Sequence, residues 1–245
     1  MAWYPGATKM ELQPESDQQA AIKPTQFIVH SIIAPWTARR TYEYWRDSTN
    51  LESHFGVDYE GTVGQYIGTE TRADANAGAN RRADGTGAVS AETASNTSGS
   101  DPWNDKQLED LIAIGAWLHE AHGLPLRICR SHTDPGYGYH SMFPQWSTSG
   151  TSCPGKARIK QFREAVFPGI VARATGKTTT PDGGLDMDAK AVHDAVWGRD
   201  AIPSPTSAAT HETNPTWKAA SYLPEIIDRL ATLEKKLDEL MKKAP

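Results

Sequence analysis

The chain has 245 residues, 22% of them charged, with a formal net charge of -5 and a pI near 5.9. That length holds one good-sized domain with appendages, or two small ones. The mildly acidic balance gives no basic footprint for nucleic acid or an anionic membrane surface, and no run of about 18 apolar residues is present to span a bilayer.

The opening stretch Met1-Ala2-Trp3-Tyr4-Pro5-Gly6 has neither a basic n-region nor a continuous apolar h-region, so no secretory signal is expected and the product is expected to be made in the cytoplasm. Thr25–Ser31 is β-branched and apolar, a buried strand that carries His30 at its end. Thr37 then serves as N-cap of a helix over Ala38–Trp45. Ser53–Asp58 and Thr62–Ile67 flank Glu60-Gly61, a hairpin signal. Thr71–Thr86, rich in Ala, Asn, Asp, Arg and Gly and without apolar periodicity, reads as a long surface loop. Gly87–Ala94 reads as another strand. Asn104 and Gln107 form a capping box that opens a helix with Leu108, Leu111, Ile112, Gly115 and Leu118 at helical spacing, closed by Gly123. Leu126–Cys129 reads as a short buried strand, and Ala157–Val166 has helical spacing. Strands separated by helices imply a layered α/β domain ending near Thr175.

Beyond it, 176–218 reads as a Pro/Thr/Gly-rich linker, with Pro/Gly-rich composition from Gly176 to Gly184, a short helix around Met187–Trp197 and a second Pro/Ser/Thr stretch over Pro203–Pro215. Within 219–245, Leu223, Ile226, Leu230, Leu233, Leu237 and Leu240 alternate spacings of three and four, the seam of a coiled coil. So short a helix needs a partner, either the preceding domain or another copy of the chain.

Only two cysteines occur, Cys129 and Cys153. They can pair in one disulfide or stand as two thiols in different settings: Cys129 in the apolar run, Cys153 in a turn beside Pro154 and Gly155. The glycine- and proline-punctuated segment from Gly138 to Gly155 also carries His140. Together with His30, two imidazoles and one thiolate make a zinc ligand set with a fourth position open, the catalytic rather than the structural arrangement. His132 is the alternative to His140.

Phe27-Ile28-Val29-His30-Ser31, the hairpin Ser53 to Val63, Val89-Ser90-Ala91-Glu92 and the segment His140 to Gly155, in this order, resemble the zinc-dependent N-acetylmuramoyl-L-alanine amidases. That superfamily includes phage lysozyme-amidases and peptidoglycan recognition proteins. The segments Arg72–Asn76 and Gly138–Phe143 look most like endolysins of actinobacterial phages. The resemblance covers residues 1–175, which implies a zinc amidase catalytic domain with a central mixed β-sheet flanked by helices.

It implies zinc on His30, His140 and Cys153, and hydrolysis of the amide between N-acetylmuramic acid and L-alanine of the stem peptide, in the service of host lysis. The substrate would be actinobacterial peptidoglycan, reached from the host cytoplasm once the membrane is permeabilised; no nucleic-acid or membrane partner is implied. Glu92 matches a glutamate that acts as general base in some branches, and Thr151 a position that faces the substrate carbonyl. Trp36, Tyr139, Phe143 and Trp146 can stack on sugar rings. Asn76 and Asn80 can hydrogen-bond the stem peptide or acetamido group, and His54 faces substrate or supports the site. Two departures stand out. Ser53 occupies the position of a catalytic Tyr in many members, and His140 precedes Cys153 by thirteen residues instead of about eight. Readings from other classes are a peptidoglycan-binding module that has lost catalysis, or a virion structural protein. The C-terminal seam suggests a homo-oligomer.

Overall fold

The computed structural model describes residues 2–47, 51–176, 200–203 and 216–242. Two compact units emerge, 1–181 and 182–245. The first is built on a six-stranded mixed sheet in the order β1-β4-β3-β5-β2-β6. Its strands are β1 (Thr8–Lys9), β2 (Lys23–Ser31), β3 (Phe55–Val57), β4 (Val63–Gln65), β5 (Thr86–Thr93) and β6 (Gly136–Tyr139). Every pairing is parallel except the β3–β4 hairpin. The helices are α1 (Glu15–Gln18), α2 (Ala38–Asp47), α3 (Asp105–His122), α4 (Lys156–Gln161) and α5 (Phe167–Ala174), with a π-helical stretch over Phe162–Val166 joining the last two. The expected α/β architecture of a central mixed sheet flanked by helices is present.

The continuous apolar run of β2 follows from its position: it lies between β5 and β6, covered on both faces. Successive side chains alternate between the faces. Phe27 and Val29 join Val89, Tyr137, Leu111, Ile114, Leu118, Phe162 and Ile170 in the core beneath α3 and α5. Ile28 points the other way, onto Ala79, Ala88, Cys129 and Trp146. Truncating Leu111 or Ile114, both fully buried, should cost about 2–5 kcal/mol of stability, measurable by denaturant unfolding.

The local signals read from the sequence act as expected at several helix ends. Thr37 Oγ1 accepts from Arg40 N at 3.1 Å. Asn104 and Gln107 form the reciprocal capping box, and Gly123 closes α3 in the left-handed region at φ 69°.

Other expectations need correcting. The Thr71–Thr86 segment is a surface loop only in its second part, where Arg81, Ala83 and Asp84 are exposed: Thr71, Ala73, Asn76, Ala79 and Asn80 are buried, and Ala77–Ala79 forms a 3-10 turn. Its apolar residues are alanines, too small to produce a periodic signal. Leu126–Cys129 makes a single bridge, Ile128 to Tyr137, instead of a strand. Both cysteines are free thiols, so no disulfide forms. The helix over 157–166 continues to Ala174.

The second unit contains β7 (Asp200–Pro203) paired antiparallel with β8 (Thr216–Lys218), followed by α6 (Ala219–Met241). The expected linker around Gly176–Gly184, the short helix Met187–Trp197 and the Pro/Ser/Thr stretch between β7 and β8 lie outside the described residues. No described helix is long and apolar enough to cross a membrane.

Candidate metal centre and active site

One register brings the chemistry together. His30 of β2 pairs with Glu92 of β5, and Ile28 pairs with Gly138 of β6. His30 lies two residues past Ile28 and Glu92 four past Ala88, so both stay on the face that holds Ile28 and Ala88, and His140 immediately follows β6. All three stand where parallel strands end, the usual place for a site in such sheets.

Cys153 arrives from the other side of the cleft, where Ser141 N donates to its carbonyl at 2.9 Å. Among the described residues His30, His140 and Cys153 form the one group of potential ligands, their donor atoms within 4.8 Å of one another. His132 is not in it: its carbonyl accepts from Gln26, Arg82 and Trp146, tying loops together.

The outer contacts of each ligand leave its inner atom available. His30 Nε2 meets Asn76 Oδ1 at 2.7 Å, and His140 Nε2 meets the Trp146 carbonyl at 3.0 Å, so both rings turn Nδ1 inward. Ser31 N donates to Cys153 Sγ at 3.1 Å. Such partners orient metal ligands and tune their basicity. Burial, reinforced by the neighbouring His140, holds the His30 imidazole well below its usual pKa, and burial also lowers His140, so both rings are neutral at neutral pH, the ligating form. Burial and then Glu92 raise the Cys153 thiol, while the Ser31 amide and Arg158 pull it down. Metal binding would therefore displace a proton from Cys153. Two neutral imidazoles, one thiol and oriented outer contacts suit zinc with an open fourth position.

Glu92 Oε1 lies 3.6 Å from His30 Nδ1. Burial pushes its carboxyl up to about 8, with Arg158 acting in the opposite direction, and its second oxygen has no hydrogen-bond partner. Thr151 is exposed, and its hydroxyl accepts from Cys153 N at 3.1 Å, so its own proton is not used in that bond.

The twelve-residue segment between His140 and Cys153 is folded, not slack. It contains 3-10 turns over His140–Met142 and Pro144–Trp146, and Trp146 is fully buried with its indole N–H on the His132 carbonyl. Gly138 is required for this, since a Cβ there would come within 2.7 Å of the Trp146 ring. Gly155, at φ 97°, lets the chain turn after Pro154 against the Gly99 carbonyl, where a Cβ would meet the oxygen at 2.3 Å.

Several expected substrate contacts are elsewhere. His54 is fully buried, its ring nitrogens against Ser90 Oγ (3.2 Å) and the Thr71 carbonyl (2.8 Å), so it cannot face a substrate. Asn76 orients His30, and Asn80 accepts from Asn76 N and shapes that loop; both side chains are buried. Tyr139 packs on Phe162, and its hydroxyl accepts from Arg163 at 2.7 Å. Tyr139 and Trp146 are therefore packing residues, and Phe143 lies edge-on to Trp146. Trp36 remains on the half-open surface, tilted against Tyr44 at 4.9 Å with Arg40 over its ring. Ser53 is buried with an unpartnered hydroxyl and offers nothing to the cleft.

Arg158 carried no signal that could be read before folding. It is fully buried beneath the site and donates to Ser31 Oγ, Thr93 Oγ1, the Ala94 and Asp101 carbonyls, and the Asp101 carboxylate at 2.8–3.1 Å. Asn76 was expected as a substrate contact, and its hydrogen bond to His30 had no signal in the sequence. Replacing it by alanine should weaken zinc binding by about 10–100-fold while the fold persists, as read by chelator competition.

The fold has solved counterparts. PlyL superposes with a TM-score of 0.51 at 20% identity, covering 70% of this chain and 99% of PlyL. The PlyG catalytic domain gives 0.52 at 18%, covering 73% and 99%. The N-acetylmuramoyl-L-alanine amidase LysC from Clostridium intestinale URNW gives 0.47 at 15%, covering 64% and 95%. No curated protein matches the sequence. The family model for N-acetylmuramoyl-L-alanine amidase matches residues 20–156, more than half the chain and a span that contains His30, Glu92, His140 and Cys153. On that match, the chain belongs to the N-acetylmuramoyl-L-alanine amidase family.

Proposed function

We propose that this protein is a zinc-dependent peptidoglycan hydrolase that cleaves the amide between the lactyl group of N-acetylmuramic acid and L-alanine. The observation that carries this reading is the convergence of His30, His140 and Cys153 beside Glu92, each ligand held from behind so that one donor atom faces the cleft. Zinc held there would supply a water of lowered pKa and polarise the scissile carbonyl.

The protein's own residues do the rest. Glu92, poised by burial to change protonation near neutrality, accepts a proton from the attacking water and returns it to the departing amine of L-alanine. Thr151 can donate its hydroxyl proton to the oxygen that gains charge. Asn76 and the Trp146 carbonyl keep the imidazoles in a fixed orientation, so little reorganisation accompanies the reaction. With Ser53 buried, no phenol serves at that position, which leaves the proton transfers to Glu92.

Glu92→Gln should keep the fold and the zinc content but lower kcat by about 10²–10⁴-fold, since a carboxamide cannot take a proton. Near-normal turnover by this variant would remove Glu92 from the role. A module that binds peptidoglycan without catalysis would hold no zinc, so one equivalent by elemental analysis favours the enzyme. We place the activity in an endolysin of an actinobacterial phage, made in the host cytoplasm and reaching the wall after the membrane is opened. Comparing lysis of actinobacterial walls with walls of other bacteria tests the host assignment.

A further inference from the structure

Among the described residues, the helix α6 carries a solvent-exposed apolar seam. Ile226, Leu230, Leu233 and Leu237 are 47%, 54%, 61% and 58% exposed, and they recur at alternating spacings of four and three. Large apolar side chains in one line, on a helix of 23 residues, are a surface made to be covered.

The charges beside the seam say by what. With Leu230 and Leu237 at the first core position of the heptad and Ile226 and Leu233 at the second, Arg229 and Lys236 flank one side and Ile227 and Glu234 the other. In a parallel, in-register pair of these helices, the residue before a first core position meets the partner residue five further on. Arg229 then meets Glu234 of the other copy, twice by symmetry. An antiparallel pair centred on the seam would instead bring Arg229 toward Lys236, like against like, and leave Glu234 beside the apolar Ile227.

We propose that α6 associates in parallel and in register with α6 of other copies of this chain, its seam buried and its direction set by Arg229–Glu234 pairing. The self-association does not depend on the amidase reading and can fail without it. Its consequence would be that several first units are presented together, which raises avidity for a polymeric substrate without any new contact.

Light scattering of the full chain at tens of micromolar should give the mass of two or more copies, and Leu233→Asp should return it to monomer. A monomeric parent at that concentration overturns the proposal. Direction is tested separately with Leu237→Cys under mild oxidation. Parallel helices place the two thiols side by side and give a crosslinked band above the background of Cys129 and Cys153. In the antiparallel arrangement they lie about 16 Å apart along the axis, and an associated protein with no such band overturns the parallel register. Arg229→Glu should raise the dissociation constant on the order of tenfold, with Arg229→Glu/Glu234→Arg restoring it. Loss in the first variant without rescue in the second would remove the pairing.

Discussion

Cys153→Ala is expected to abolish amide hydrolysis and zinc retention together, with little loss of fold. The cysteine lies at the rim of the sheet, and the first unit's apolar core lies beneath α3 and α5, where Cys153 takes no part. What the substitution removes is the sulfur that accepts from Ser31 N, on a residue whose backbone N–H is tied to the Thr151 hydroxyl. A zinc ion held at this centre would supply several kcal/mol of transition-state stabilisation, whose loss corresponds to a fall on the order of 10³-fold or more in kcat/KM. His30→Ala should do the same. Zinc content and wall hydrolysis measured on the same preparation check both, and hydrolysis that survives Cys153→Ala or treatment with EDTA would contradict the metal centre.

Arg158→Met should be the most destabilising single change near the site. The guanidinium is fully buried, and every donor is used by Ser31, Thr93, Ala94 or Asp101. Removing it leaves the Asp101 carboxylate without its cation and several acceptors without donors. Breaking a buried pair in this way costs about 3–5 kcal/mol, or a drop in Tm of roughly 6–20 °C for a domain of this size. Lysine should not rescue it, because one ammonium cannot reproduce the planar fork that reaches four residues. Thermal unfolding decides this, and a Tm within about two degrees of the parent would contradict the structural account. Zinc affinity should fall as well, because Arg158 holds the Ser31 side chain while the Ser31 amide holds Cys153.

How far the sequence spoke depended on the length scale of each signal. Thr25–Ser31 was legible because β2 is covered on both faces and must be apolar throughout, and α3 because its capping box and closing glycine are local chemistry. β1 and β6 were not, having two and four residues and, in β6, glycine at alternate positions, Gly136 against the Arg127 backbone and Gly138 against Trp146. The candidate ligands could be named from residue type and order because metal chemistry restricts both. Their supporting contacts could not. Asn76 lies 46 positions from the histidine it orients, and Arg158 lies 127 from Ser31, so only the folded chain shows that one fixes a ligand and the other braces the floor. For His54 the sequence left two roles open, and the bonds to Ser90 and Thr71 inside the fold select the supporting one; the Tyr139 hydroxyl, expected toward substrate, is taken by Arg163.

The central claim is tested most directly by mass spectrometry of peptidoglycan digested with the zinc-loaded protein. The account predicts free stem peptides with a new amino terminus at L-alanine, and glycan strands stripped of peptide with their sugar linkages intact. New reducing sugar ends, or cuts within the stem peptides while the lactyl–alanine amide stays whole, would contradict it.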